Sequence, residues 1–187
     1  MKALVIFFIS FFLSTTPSAF DQMDKINKSL LQAVRDRNLE KATELLKLGA
    51  NVNYQNEQLD SPFLLSGALG YTEFVQLFLN NGARFDVFNR YNGTALIPAC
   101  ERGHIETVKL LANAKGFPIN HVNRLGWTAL MEAVLLGDGS SKYVTIVEIL
   151  VAAGSDRSIP DKNGITALEH ARKAGYKEIV RILESPL

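Results

Sequence analysis

With 187 residues, 47% apolar and 21% charged, the chain has enough apolar side chains for a folded core, which excludes a disordered polymer. Its formal net charge of +1 excludes the basic stripe that nucleic acid needs, and its single cysteine, Cys100, excludes an internal disulfide.

Lys2, the apolar run 3–13 and the small and polar residues 14–19 have the three parts of a secretory signal peptide. Eleven apolar residues fall short of the roughly 20 that cross a bilayer, so a leader cleaved near Ser18 or Ala19 is expected rather than a stable membrane span. Its loss removes Lys2 and no acid, leaving net charge 0. The mature domain then covers residues 20–187, and a periplasmic or secreted location is expected.

Residues 23–35 and 39–48 carry Met23, Ile26, Leu30, Ala33 and Val34, then Leu39, Ala42, Leu45 and Leu46, at helical spacings. The charges between them give the polar outer face of a terminal repeat. Pro62 behind Ser61 marks a helix start, with Phe63, Phe74, Val75, Phe78 and Leu79 as its core. Farther on, Asn92 and Gly93 read as a tight turn, Thr94 as a cap, and Gly103-His104 as a break before the apolar run 105–111, which includes Leu110. Residues 137–142 insert a Gly- and Ser-rich loop after the next first helix, and the last helix pair ends at Glu184. Asn27 and Asn92 each begin a glycosylation sequon.

The repeat is the strongest signal. Ser61, Thr94, Thr128 and Thr166 are spaced 33, 34 and 38 residues apart, and Gly49, Gly82, Gly116 and Gly154 have the same three spacings. Two markers drifting together define a unit of 33 with insertions of one and five. Thr94-Ala95-Leu96, Thr128-Ala129-Leu130 and Thr166-Ala167-Leu168, with Gly70-Tyr71 and Gly103-His104 between helices and Gly49-Ala-Asn-Val-Asn53 after a second helix, resemble the ankyrin repeat. The wording around residues 89–104 and 125–139 is similar to a subgroup of exported bacterial ankyrin proteins. The resemblance implies an all-α solenoid of about five helix-turn-helix units with short β-hairpin fingers, at about residues 24–55, 56–88, 89–122, 123–160 and 161–184. The family's histidine after Thr-Pro-Leu is replaced by Leu64, Ile97, Met131 and Glu169, which is expected to remove a hydrogen bond near each cap.

Catalytic patterns are weak. Cys100 and His104 lie four apart, but Gly103 interrupts the helix and Cys100 occupies a small buried position, so the thiol is expected to be inert. The loop from 137 to 141, opened by Gly137 and closed by Ser141, lacks the Gly-Lys-Ser/Thr ending of a phosphate loop. Three scattered histidines make no metal site, and no cofactor is implied. The resemblance implies instead a non-catalytic module that binds a protein partner along the fingers and exposed first-helix faces. Arg90, Tyr91, Glu101, Arg102, Arg124, Leu125, Trp127, Lys162 and Asn163 fall there, with Trp127 read as an exposed anchor. The alternatives are self-association through Trp127, and a ligand-handling or redox accessory using Cys100, His104 and the 137–141 loop.

Overall fold

The structure, a computed structural model, describes residues 18–186; residues 1–17, most of the expected leader, lie outside them. Five helix pairs stack in order: α1 (Ala19–Arg35) and α2 (Leu39–Lys47), α3 (Pro62–Leu69) and α4 (Thr72–Leu79), α5 (Leu96–Glu101) and α6 (Ile105–Ala112), α7 (Ala129–Leu135) and α8 (Ser141–Ala152), α9 (Ala167–Ala174) and α10 (Lys177–Glu184). The first helices form one row, α1–α3–α5–α7–α9, and the second helices another. Each unit therefore buries its apolar faces against its neighbours, as a solenoid must. Helix α1 starts four residues before the expected Met23, capped by Ser18 in a reciprocal pair with Asp21, and its first turn is exposed.

The capping residues act as the sequence implies in three units. Ser61 Oγ accepts from Leu64 N at 3.1 Å, Thr128 Oγ1 accepts from Met131 N at 3.2 Å, and Thr166 pairs reciprocally with Glu169. Thr94 does not cap: α5 begins at Leu96 with Ala95 at its cap position and no side-chain bond. Its partner carbonyls explain why. The carbonyls of Ser61, Thr128 and Thr166 accept from Leu65, Glu132 and His170, four residues on, whereas the donor four residues after Thr94 would be Pro98, which has no N–H. The expected loss at the family's histidine position takes two forms. Leu64, Ile97 and Met131 join the core instead, and Glu169 replaces the bond with its capping carboxylate.

The glycines between helices make room for the next unit. At Gly70, with φ of 70°, a Cβ would lie 2.4 Å from the His104 ring, and at Gly139 one would lie 2.4 Å from the Tyr176 ring. Positive φ and close approach together require glycine. The insertion is partly taken up by α8, which has twelve residues against eight in α4, α6 and α10. The remaining loop is tethered rather than free: the Tyr176 hydroxyl donates to Gly137 O at 2.9 Å and the Asp138 carboxylate accepts from Ser140 N at 2.9 Å.

The fingers are not β-hairpins. Among the described residues there are no strands, only an isolated antiparallel bridge between Pro160 and Thr166. Each finger closes within five residues, too few for a ladder, through one backbone bond such as Asn89 N to Gly93 O at 3.0 Å. Asn27 is buried and its Oδ1 accepts from Asn51 N at 2.8 Å, so folding withdraws this sequon from modification.

The core runs the length of the stack, with Phe63, Phe74, Phe78, Leu96, Leu111, Leu130, Met131, Ile146, Leu150 and Ile179 fully buried. Leu110 is only half-buried, because helical rotation places Leu111 inward with Thr107 and Val108. Phe78→Ala should cost about 3–5 kcal/mol and Leu111→Ala about 2–5 kcal/mol in chemical melts, because each leaves a cavity between stacked layers. Leu110→Ala should cost about 1 kcal/mol or less. Equal losses at 110 and 111 would contradict this packing.

Candidate partner-binding groove

The groove is built from finger residues and the first helices of units two to four. Each finger begins with an amide or acid whose side-chain oxygen accepts two backbone N–H groups of the same finger. Asn56 Oδ1 accepts from Gln58 and Asp60, Asn89 Oδ1 from Tyr91 and Gly93, Asn123 Oδ1 from Leu125 and Trp127, and Asp161 Oδ1 from Asn163 and Ile165, at 2.8–3.1 Å. This satisfies donors that a tight turn otherwise leaves to solvent and fixes each finger's direction. Neighbouring fingers are then joined: Arg124 N donates to Tyr91 O at 2.9 Å, Arg124 Nη1 to Arg90 O at 3.0 Å, and Lys162 Nζ to Arg124 O.

In units four and five, the first-helix side chain nine residues after the clamp meets its remaining polar atom. In unit four, Asn123 Nδ2 donates to Glu132 Oε1 at 2.9 Å; in unit five, His170 Nε2 donates to Asp161 Oδ2 at 2.8 Å. The pairs are complementary: an amide has a donor left for a carboxylate, and a carboxylate has an acceptor left for an imidazole. In units two and three the corresponding residues are Leu65 and Pro98, which offer no polar side chain.

These residues enclose a cleft of about 520 Å³. Leu64, Leu65, Ile97, Pro98 and Leu136 line it with apolar surface, Arg90, Tyr91, Arg102 and Leu125 stand at its rim, and Glu101 and Glu132 supply carboxylates. Tyr91 is 55% exposed, and Leu125 and Leu136 are each 48% exposed. The Arg90 guanidinium lies 5.5 Å from the Tyr91 ring centre, and Arg102 Nη1 donates to Ala68 O at 2.6 Å. Glu132 is 4% exposed. Burial first, then the charge of Glu101, pushes its carboxyl up to about 7, against the opposing bond from Asn123.

Five of the nine residues expected at the partner surface line this cleft: Arg90, Tyr91, Glu101, Arg102 and Leu125. Arg124 instead braces two fingers, Lys162 reaches the same brace from unit five, and Asn163 donates its backbone N–H to the Asp161 clamp. Trp127 is not an exposed anchor. It is half-buried against the core, held at the base of its finger where its N–H meets Asn123 Oδ1 and its carbonyl accepts from Asn123 N. Asn89, Asn123, Glu132 and Leu136 were not expected in the site. The one available signal was a charged Glu132 inside an apolar run, nine residues after Asn123.

The accessory reading loses its chemistry. Cys100 is fully buried, and burial first, then Glu132, pushes its thiol well above the usual range. The His104 ring packs against Gly70 of the preceding unit, and burial holds its imidazole below the usual value. Loop 137–141 carries the Asp138 carboxylate, which repels phosphate. Among the described residues, no group of three His, Cys, Asp or Glu side chains could hold a metal ion, and no helix is long and apolar enough to cross a membrane.

The sequence model for ankyrin repeats in three copies matches residues 30–123 and 63–161. The chain belongs to the ankyrin repeat family. It is 36% identical over 139 residues to the ankyrin repeat protein YahD of Escherichia coli K12, covering 74% of this chain and 69% of that one. Among solved structures it is similar to an ankyrin repeat domain from Acinetobacter baumannii AYE, with 50% identity, a TM-score of 0.81, and 83% and 79% of the two chains covered. The ankyrin repeat protein EF0377 has 43% identity and a TM-score of 0.81, with 84% and 80% covered. Ankyrin repeats are protein-interaction modules.

Glu132 makes the stability of this ankyrin domain depend on pH. The folded chain holds this proton up to about pH 7 and the unfolded chain only to about 4.5, so stability falls as pH rises between these values and levels off above them. The loss approaches about 3 kcal/mol. Glu132→Gln keeps an acceptor for Asn123 and should abolish this component, so urea melts at pH 5 and pH 8 should show the variant gaining on the parent at the higher pH. An equal difference at both pH values would contradict the burial of a carboxylate here.

Proposed function

We propose that this ankyrin domain is an exported, non-catalytic module that holds a protein partner in the groove between fingers and first helices of units two to four. The observation that carries the reading is one continuous cleft with exposed Tyr91, Leu125 and Leu136 around it and arginines at its rim. Aromatic and arginine side chains around an apolar centre are the composition of binding hot spots. The brace from Arg124 to the finger that opens at Asn89 supports a preformed surface, which lowers the ordering cost of association.

Export rests on the leader-like pattern of Lys2, residues 3–13 and residues 14–19. Cleavage near Ser18 or Ala19 is compatible with the fold, because the first turn of α1 is exposed and burial begins only at Asn27.

A photoreactive residue at Leu125, with a control at exposed Lys109 on the second-helix row, tests the groove in the protein's native host. The expected result is a discrete heteromeric adduct from position 125 alone, on a mature chain that begins near residue 19 and sits outside the cytoplasm. Adducts equal at 125 and 109, or only a dimer of the chain itself, would overturn the heteromeric reading, and an intact Met1 in the cytoplasm would overturn export.

A further inference from the structure

The groove contains a carboxyl group, charged above about pH 7, that the protein itself leaves without a cation. Glu132 is 4% exposed and one of its oxygens accepts from Asn123; among the described residues no hydrogen bond reaches the other. Glu101, one first helix away, lines the same cleft, and among the described residues no cation lies within ion-pairing distance of either carboxylate. The two rim arginines are engaged elsewhere, Arg90 over Tyr91 and Arg102 on the Ala68 carbonyl.

The matching position in unit five shows what an internally matched arrangement looks like. There His170 meets Asp161, and acid and base satisfy each other. Unit four has Glu132 against a neutral amide, so its charge is oriented by Asn123 and still uncompensated. A carboxylate withdrawn from water costs several kcal/mol unless it keeps its proton or meets a cation, and above about pH 7 Glu132 has lost the proton. Asp60, the other acid at the cleft, already faces Arg35 at 3.5 Å.

The geometry points to a lysine or arginine side chain of the partner protein as the occupant, its cationic head between Glu101 and Glu132 and its aliphatic stem along Ile97, Pro98 and Leu136. The apolar walls suit such a stem, which carries its charge at the tip of three or four methylenes. This inference rests on the reading of the groove as a protein-binding surface and adds the chemistry of what enters it.

Ethylguanidinium and n-butylammonium chloride, titrated into the full mature domain at pH 8 and observed by NMR, stand for the two side chains. The Asn123 side-chain amide and the Leu136 methyls should shift saturably, and sodium chloride at equal ionic strength should not reproduce the effect. Glu132→Gln, which retains the acceptor for Asn123, should weaken the apparent affinity by at least about fivefold, while Lys109→Ala should leave it unchanged. Shifts matched by sodium, or unaltered in Glu132→Gln with its fold confirmed by its amide spectrum, would overturn the cationic site. Failed probes together with an adduct from position 125 would remove the cation and leave the binding module. Bound probes with no adduct would overturn the assignment to a partner protein's side chain.

Discussion

The structure depends on one small interaction made four times. A side-chain oxygen at the start of each finger, from Asn56, Asn89, Asn123 or Asp161, accepts two backbone N–H groups of that finger. With the turn closed this way, the chain re-enters the first helix at a fixed angle, and the cap and the buried Phe63, Leu96 and Leu130 follow in register. Neighbouring fingers can then be joined backbone to backbone, as Arg124 is to Tyr91, which keeps the concave surface continuous without a sheet.

The same side chains also set the character of that surface. Each clamp uses one oxygen for the turn and has a second polar atom to place, and the first-helix residue nine positions on decides the outcome. Leu65 and Pro98 make the floor of the groove apolar, Glu132 makes it negative, and His170 closes the series with a matched pair. Stability and recognition meet at this atom. A burial that raises the Glu132 carboxyl to about 7 weakens the isolated fold at alkaline pH and creates a position that favours a cation.

Much of the fold was legible because its signals are local and recur. The paired spacings of Ser61 to Thr166 and Gly49 to Gly154 needed only counting, and the glycines at 70 and 103 stood where helix ends were required. The exceptions arise from residues acting across that local frame. Thr94 looks like its counterparts, but Pro98 removes the N–H that would start the helix at it. Leu110 and Leu111 both suit an apolar run, and only the helix rotation separates the half-buried one from the buried one. Trp127 has the composition of an anchor, yet its backbone is part of the Asn123 clamp and its ring lies against the core. The groove itself draws on three units, so Glu101 and Glu132 become neighbours only once the stack is formed.

The claim that clamp and helix residue form a matched pair is tested most directly by moving the unit-five pair into unit four. Asn123→Asp, Glu132→His and the double variant would be compared in urea at pH 8, where the single Asn123→Asp sets carboxylate against carboxylate. The double variant should be more stable than the sum of the single changes by at least about 1 kcal/mol. Additivity within about 0.3 kcal/mol would contradict the account, because the two positions would then be independent and the charge of the groove would not be set by the clamp.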